Sequence, residues 1–307
     1  MNRFLAPVFA PGFFESSTVH TALIVGTLVA IVAGTVGVFT VLRGQSFAGE
    51  ALGDIGTTGG SGAFLVGVGL LWGFLIFSIA AAAAMELIGI QRPRGRDLAT
   101  GIVLGAALGL AALFLYFDTT TTGATITILF GSLSALASST IPLVILLSAI
   151  VLGIAATLYR PLLLGSVSAE LAAARGIPVR AVGALYLLAL AIAVALASQS
   201  IGTILSTALV VGPAAAALRL TRRPVTAILT AVLIGIGATW LGIVLAYDSY
   251  SWPPVGHGWS VSFFVVTIVF VAYLLSGVPR QWRTRGRERA AGGAGSTIGE
   301  PRAARER

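Results

Sequence analysis

Lysine and cysteine are both absent from this 307-residue chain, and charged residues make up only 10% of it. Each shortage excludes something. A P-loop needs a lysine after its glycines to reach the nucleotide phosphates. Any ATP that drives this protein must therefore be hydrolysed on another chain. Without cysteine there are no disulfides and no thiolate metal sites. A soluble domain carries about 25% charged residues, so a chain with so few cannot cover its surface for water. Histidine is scarce too, with only His20 and His257, and no His-rich or Ser-based catalytic set stands in an apolar segment.

What the chain does have is apolar residues: 57% of the total, with a mean hydropathy of +0.98. Its natural solvent is the lipid bilayer. Runs long enough to span about 30 Å of hydrocarbon recur at Val19–Leu42, Phe47–Val68, Leu70–Ile90, Leu98–Phe117, Ile141–Leu158, Val179–Ala197, Ile201–Leu218, Val225–Ala246 and Val261–Gly277. Ile126–Leu136 reads as a short re-entrant or interfacial helix. The expected fold is all-α, a polytopic transmembrane bundle of about eight to nine membrane helices. The membrane domain takes residues 1–277, and 278–307 reads as a disordered Arg/Gly-rich tail. The first twenty residues lack the sustained apolar core of a signal peptide.

All 19 basic residues are arginines, and they set the expected orientation. With nine crossings, alternate connections place Arg43, the Arg92–Arg96 group, Arg160, Arg175, Arg180, Arg219, Arg222, Arg223 and the tail on one side. Arg3 alone lies on the other, a split of 18 to 1. The reading is a multi-pass protein of the cell membrane, N-terminus outside and C-terminus cytoplasmic. The net charge of +8 does not point to nucleic acid, because the arginines form no basic stripe.

Ionisable residues inside apolar segments are the functional candidates, because a carboxylate at membrane depth costs about 2.5–3.5 kcal/mol on insertion scales. Glu50 and Asp54 lie four apart on the second helix and share a face. Thr57 and Ser61 continue it, and a stripe of Gly49, Gly53, Gly56 and Gly60 runs beside it, suited to close helix packing. Two carboxylates side by side repel, and a divalent cation would relieve both. Alternatively, Glu50 is simply solvated at the boundary, which explains Asp54, a turn deeper, less well. Glu86 reads as structural, pairing with the Arg92–Arg96 group or snorkelling. His20 and His257 are either secondary metal ligands or interfacial. Tyr247, Tyr250, Trp252 and Trp259 suggest an aromatic belt.

Between the fifth and sixth helices, Ser168 is a good N-cap, Glu170 and Leu171 open a short helix, and Gly176 with Pro178 closes it. This is either a docking element for another protein or an ordinary interfacial helix.

These segments resemble the permease subunits of metal-ion ABC importers, the family that takes up zinc, manganese or iron. The resemblance runs from about Ala6 to Gly277. It is carried by GTVGVFTVLRGQSFAGEALGD (Gly34–Asp54), LFGSL (Leu129–Leu133), SAELAAARGIPV (Ser168–Val179) and GTILSTALVVGPAAAALRL (Gly202–Leu220). The resemblance implies a type II ABC importer-like bundle without an ATPase site of its own. It implies ABC ATPase subunits, an extracellular metal-binding protein and a second permease chain as partners. A divalent metal would be the transported substrate, with no permanent cofactor. Ser168, Glu170, Leu171, Arg175, Gly176 and Pro178 would form the element that couples to the ATPase. Glu50 and Asp54 would lie on the metal path, where the family typically reads G-D-A-L-S-H. Here that segment is G-E-A-L-G-D, so a carboxylate replaces the imidazole. The rival readings are a proton-coupled secondary transporter, a permease for a metal chelate such as a siderophore, and an intramembrane enzyme.

Overall fold

The computed structural model describes residues 17–88, 93–117, 127–131, 140–251 and 258–277. His257, Trp252, Arg3 and the 278–307 tail lie outside those residues. The described chain is helical: α1 Ser17–Leu42, α2 Ser46–Val66, α3 Leu70–Ile88, α4 Pro93–Phe117, the single turn α5 at 127–130, α6 Ile141–Val167, α7 Ala169–Ala174, α8 Val179–Ile201, α9 Thr203–Leu220, α10 Pro224–Asp248 and α11 Val261–Gly277. No strand occurs among the described residues. In lipid every backbone N–H and C=O must be satisfied within the protein, which leaves helices as the spanning element for such a sequence.

Among the described residues, nine long helices fall where the nine apolar runs predict them. Seven are long and apolar enough to cross a membrane on length and composition. The exceptions are α2, diluted by its glycines and carboxylates, and α11, the shorter helix Val261–Gly277. Three boundaries differ from expectation by four residues or more. Helix α4 begins at Pro93, ahead of Leu98. Helix α6 continues past Leu158 to Val167, carrying Arg160 and Pro161 inside it. Helix α8 continues past Ala197 to Ile201, so that only Gly202 separates it from α9.

The core is built round α8, which touches α1, α2, α3, α6 and α9 and has 78% of its spanning window buried. Helix α1 packs on α10, α9, α6 and α8, while α2 packs on α3, α4, α9 and α8. Small residues allow the closest approaches: a Cβ on Gly37 would fall 1.9 Å from the Val210 carbonyl oxygen of α9. Helix α4 is the most peripheral, with 17% of its window buried. Threonine hydroxyls inside the helices bond back to carbonyls one turn earlier, as at Thr35, Thr40 and Thr239, which keeps them satisfied without water.

The helix ends alternate as nine crossings require. The end of α3 and the starts of α2 and α4 share one cavity, lined by Gln45, Glu86 and Asp97. At the same end Arg43 lies over the Tyr186 ring, 5.1 Å from its centroid. The start of α1, the end of α10 and the start of α11 share a larger cavity at the opposite end. Arg219 of α9 hydrogen-bonds the Tyr273 hydroxyl of α11 and stacks on its ring, closing the bundle at the arginine-bearing end.

Candidate functional site: a carboxylate stripe, an end cavity and a capped surface helix

Helix α2 presents its polar stripe between α4 and α9. On the α4 side, Thr58 Oγ1 donates to the Ala107 carbonyl at 2.7 Å. On the α9 side, Thr57 Oγ1 donates to Thr203 Oγ1 at 2.9 Å. Between them Glu50 is exposed and Asp54 half-buried. Ser61 does not continue the open stripe: it is buried, and its hydroxyl donates back to the Thr57 and Thr58 carbonyls at 2.8 and 3.1 Å. The usable stripe is therefore Glu50, Asp54 and Thr57.

The glycine edge of α2 does what its spacing suggests. A Cβ on Gly53 would lie 2.7 Å from Ser206 Oγ and 3.4 Å from Thr207 Oγ1, so bare α2 backbone rests on a wall of α9 hydroxyls. Ser206 Oγ donates to the Thr203 carbonyl at 2.8 Å. Sequence reasoning missed this wall. The signal was present as Thr203, Ser206 and Thr207 at helical spacing, facing a helix that needed polar neighbours.

The chain turns back between α8 and α9 on one residue, Gly202, with φ +89° and ψ 161°. That region is essentially restricted to glycine. The turn is held by α5 and Gly131: a Cβ on Gly202 would fall 2.2 Å from the Leu129 carbonyl oxygen. Ser262 Oγ donates to the Phe130 carbonyl at 2.5 Å. The expected short helix at Ile126–Leu136 is thus present as the turn at 127–130 within the described residues.

Beside it, at the end of the bundle away from the arginines, lies the larger cavity of about 300 Å³, whose walls include Thr18, Gly131, Tyr247, Tyr250, Trp259 and Ser262. Three members of the expected aromatic belt are therefore cavity walls. His20, near the start of α1, is exposed. Among the described residues no three His, Asp or Glu side chains converge as a metal centre, and His20 does not join the carboxylates of α2.

The short surface helix matches its sequence signals. Ser168 is extended (φ −157°, ψ 121°) and accepts a hydrogen bond from the Leu171 N–H at 3.2 Å, a side-chain N-cap. Gly176 ends the element with φ +76°. Ala172 is buried, whereas Leu171 is 62% exposed. One apolar side chain anchors α7 to the bundle and another points away from it.

The sequence profile of the ABC 3 transport family matches residues 15–276. The chain belongs to that family. Among relatives of this ABC 3 permease, the manganese transport system membrane protein MntC of Listeria monocytogenes is 30% identical over 274 residues, covering 89% of this chain and 95% of the relative. The manganese import system permease protein ScaB of Streptococcus gordonii is 30% identical over 240 residues, covering 78% and 86%. The solved PsaBC of Streptococcus pneumoniae, in complex with Fab, matches with a TM-score of 0.74 at 27% identity, covering 87% of this chain and 93% of that one. The ABC 3 match runs from before α1 to the last residue but one of α11.

Proposed function

We propose that this ABC 3 permease is the membrane-spanning subunit of an ATP-driven importer for a divalent metal ion, manganese before zinc or iron. The observation that carries the reading is the open stripe of Glu50, Asp54 and Thr57 on α2, set against the hydroxyl wall of α9. Oxygen ligands suit hard ions such as manganese, whereas zinc gains more from imidazole. The relatives named for manganese support the same choice.

In this reading ATP is hydrolysed by partner subunits that bind the arginine-bearing cytoplasmic face, with α7 as their docking element. A second permease chain completes the path, and an extracellular metal-binding protein delivers the ion. The bundle alternates between outward and inward states while the α2 stripe meets the ion in transit. The chain itself performs no covalent chemistry.

The test is metal uptake by the parent, Asp54→Asn and Asp54→His at matched expression, with manganese and zinc in competition. Asp54→Asn keeps the shape and removes the charge, so it should lose most uptake. Asp54→His should shift preference toward zinc. Parental uptake by Asp54→Asn together with an unchanged ratio in Asp54→His would remove the stripe from the ion path.

A further inference from the structure

A second group of oxygen-bearing side chains sits at the arginine-bearing end, apart from the stripe. Glu86 of α3, Asp97 and Thr100 of α4, and Gln45 at the start of α2 line a cavity of about 30 Å³, completed by Ala48, Met85 and Leu187. That volume suffices for one water molecule or a bare ion. The Glu86 carboxylate lies over α8, with both oxygens 4.0 Å from where a Gly183 Cβ would be. It points into the bundle, where snorkelling would carry it outward. The side chains of Arg92, Arg94 and Arg96, the expected partners of Glu86, lie outside the described residues, and no ion pair of Glu86 or Asp97 occurs among the described ones.

A further group in this cavity lacks a partner. Gln45 is the N-cap residue of α2 but makes no side-chain capping bond, and its Oε1 is fully buried without a hydrogen bond. Thr100, 4% exposed, brings its hydroxyl to the same lining. Buried polar atoms are almost always paired, and orphans call for an explanation. The orphaned Gln45 oxygen and two carboxylates without an ion pair among the described residues, round one ion-sized space, share a single explanation.

We propose that Glu86, Asp97, Gln45 Oε1 and Thr100 Oγ1 form a binding site for a hard divalent cation at the inner end of the bundle. The donors are all oxygen, two of them anionic, as manganese or magnesium requires. The site is distinct from the α2 stripe: at 100° per residue Ala48 lies about 160° round the helix from Glu50. It rests on the proposed function only for its role, as the station from which the imported ion leaves.

The test is Mn²⁺ binding to the full-length chain in lipid nanodiscs, followed by electron paramagnetic resonance of free Mn²⁺. The background is Asp54→Asn, which silences the stripe. A Mn²⁺ site should remain there, and Glu86→Gln or Asp97→Asn should weaken it at least tenfold. Asp97 is exposed, so Asp97→Asn leaves the fold intact. Thr100→Val should weaken binding about threefold while leaving thermal stability equal or higher, which a purely structural hydroxyl would not do. The proposal is overturned if Asp54→Asn binds no Mn²⁺, or if adding Glu86→Gln and Asp97→Asn changes nothing. Parental uptake by Asp54→Asn would defeat the stripe and leave this binding result standing, so the two failures are separable.

Discussion

Replacing Gly53 with alanine probes the contact on which the α2 site depends. The new Cβ would lie 2.7 Å from Ser206 Oγ and 3.3 Å from the Thr203 carbonyl oxygen, about 0.7 Å or more inside ordinary contact with the hydroxyl. Ser206 cannot yield freely, because its hydroxyl is committed to Thr203 O. Either that bond breaks or α2 moves off α9, stretching the 2.9 Å Thr57–Thr203 bond. Overpacking of this kind costs about 1–3 kcal/mol, and one hydrogen bond is worth about 0.5–1.5 kcal/mol. Against that, alanine gains about 1 kcal/mol over glycine as a helix former. The expected net effect is a loss of about 1–2 kcal/mol. Removing the obstacle should recover it: Gly53→Ala with Ser206→Ala should be more stable than the sum of the single changes, with a coupling of about 1 kcal/mol. The assay is unfolding of the purified protein in detergent across the four variants, with metal uptake in parallel. If Gly53→Ala is stabilising to the full extent of its helix propensity and indifferent to residue 206, α2 does not rest on α9 and the site description fails.

Three other outcomes follow. A cysteine near Ser17 should react with an impermeant reagent in intact cells and one near Ser296 should not; the reverse would invert the topology. Glu170→Arg and Gly176→Leu should uncouple metal uptake from ATP hydrolysis without unfolding the bundle. A Cβ on Gly176 meets nothing within 4 Å, so the leucine costs only about 1–2 kcal/mol of left-handed backbone strain, and normal uptake with the ATPase still bound would argue against docking at α7. Gly202→Ala should abolish the folded yield in detergent, since its Cβ falls 2.2 Å from a carbonyl oxygen; a stable, monodisperse product would refute the packing of α5 on the α8–α9 turn.

The features legible in the sequence are those set by neighbouring residues. Among the described residues nine long helices answer to the nine apolar runs, and the cap of α7 was readable because Ser168 and the Leu171 N–H are three residues apart. Arg160 and Pro161 look like a loop in sequence but lie inside α6. The arginine is exposed there and its long stem can carry the charge away from apolar surroundings. The single-residue turn at Gly202 was not readable because the backbone of residues 129–131 holds it, far off in the chain. The same reason hid the Gln45, Glu86 and Thr100 convergence, assembled from three helices, and the inward turn of Ser61. Glu50 and Asp54 could be singled out as candidates because a carboxylate in an apolar run stands out wherever its neighbours are.

Helix α8 begins directly after α7 and Pro178 and ends at the glycine that clamps α5. At 1.5 Å per residue it is a rod about 34 Å long, crossing the whole bundle with no flexible joint between its ends. An axial push delivered at the α7 end arrives at the α5 turn almost undiminished, because a hydrogen-bonded helix is stiff along its length. Its helical ladder is broken at Gly176–Pro178 before one tip and at Gly202 after the other. Machinery docked on one face would thus have a mechanical pushrod to the opposite face, and lengthening either tip with a few flexible residues would introduce slack without touching any residue that meets the ion.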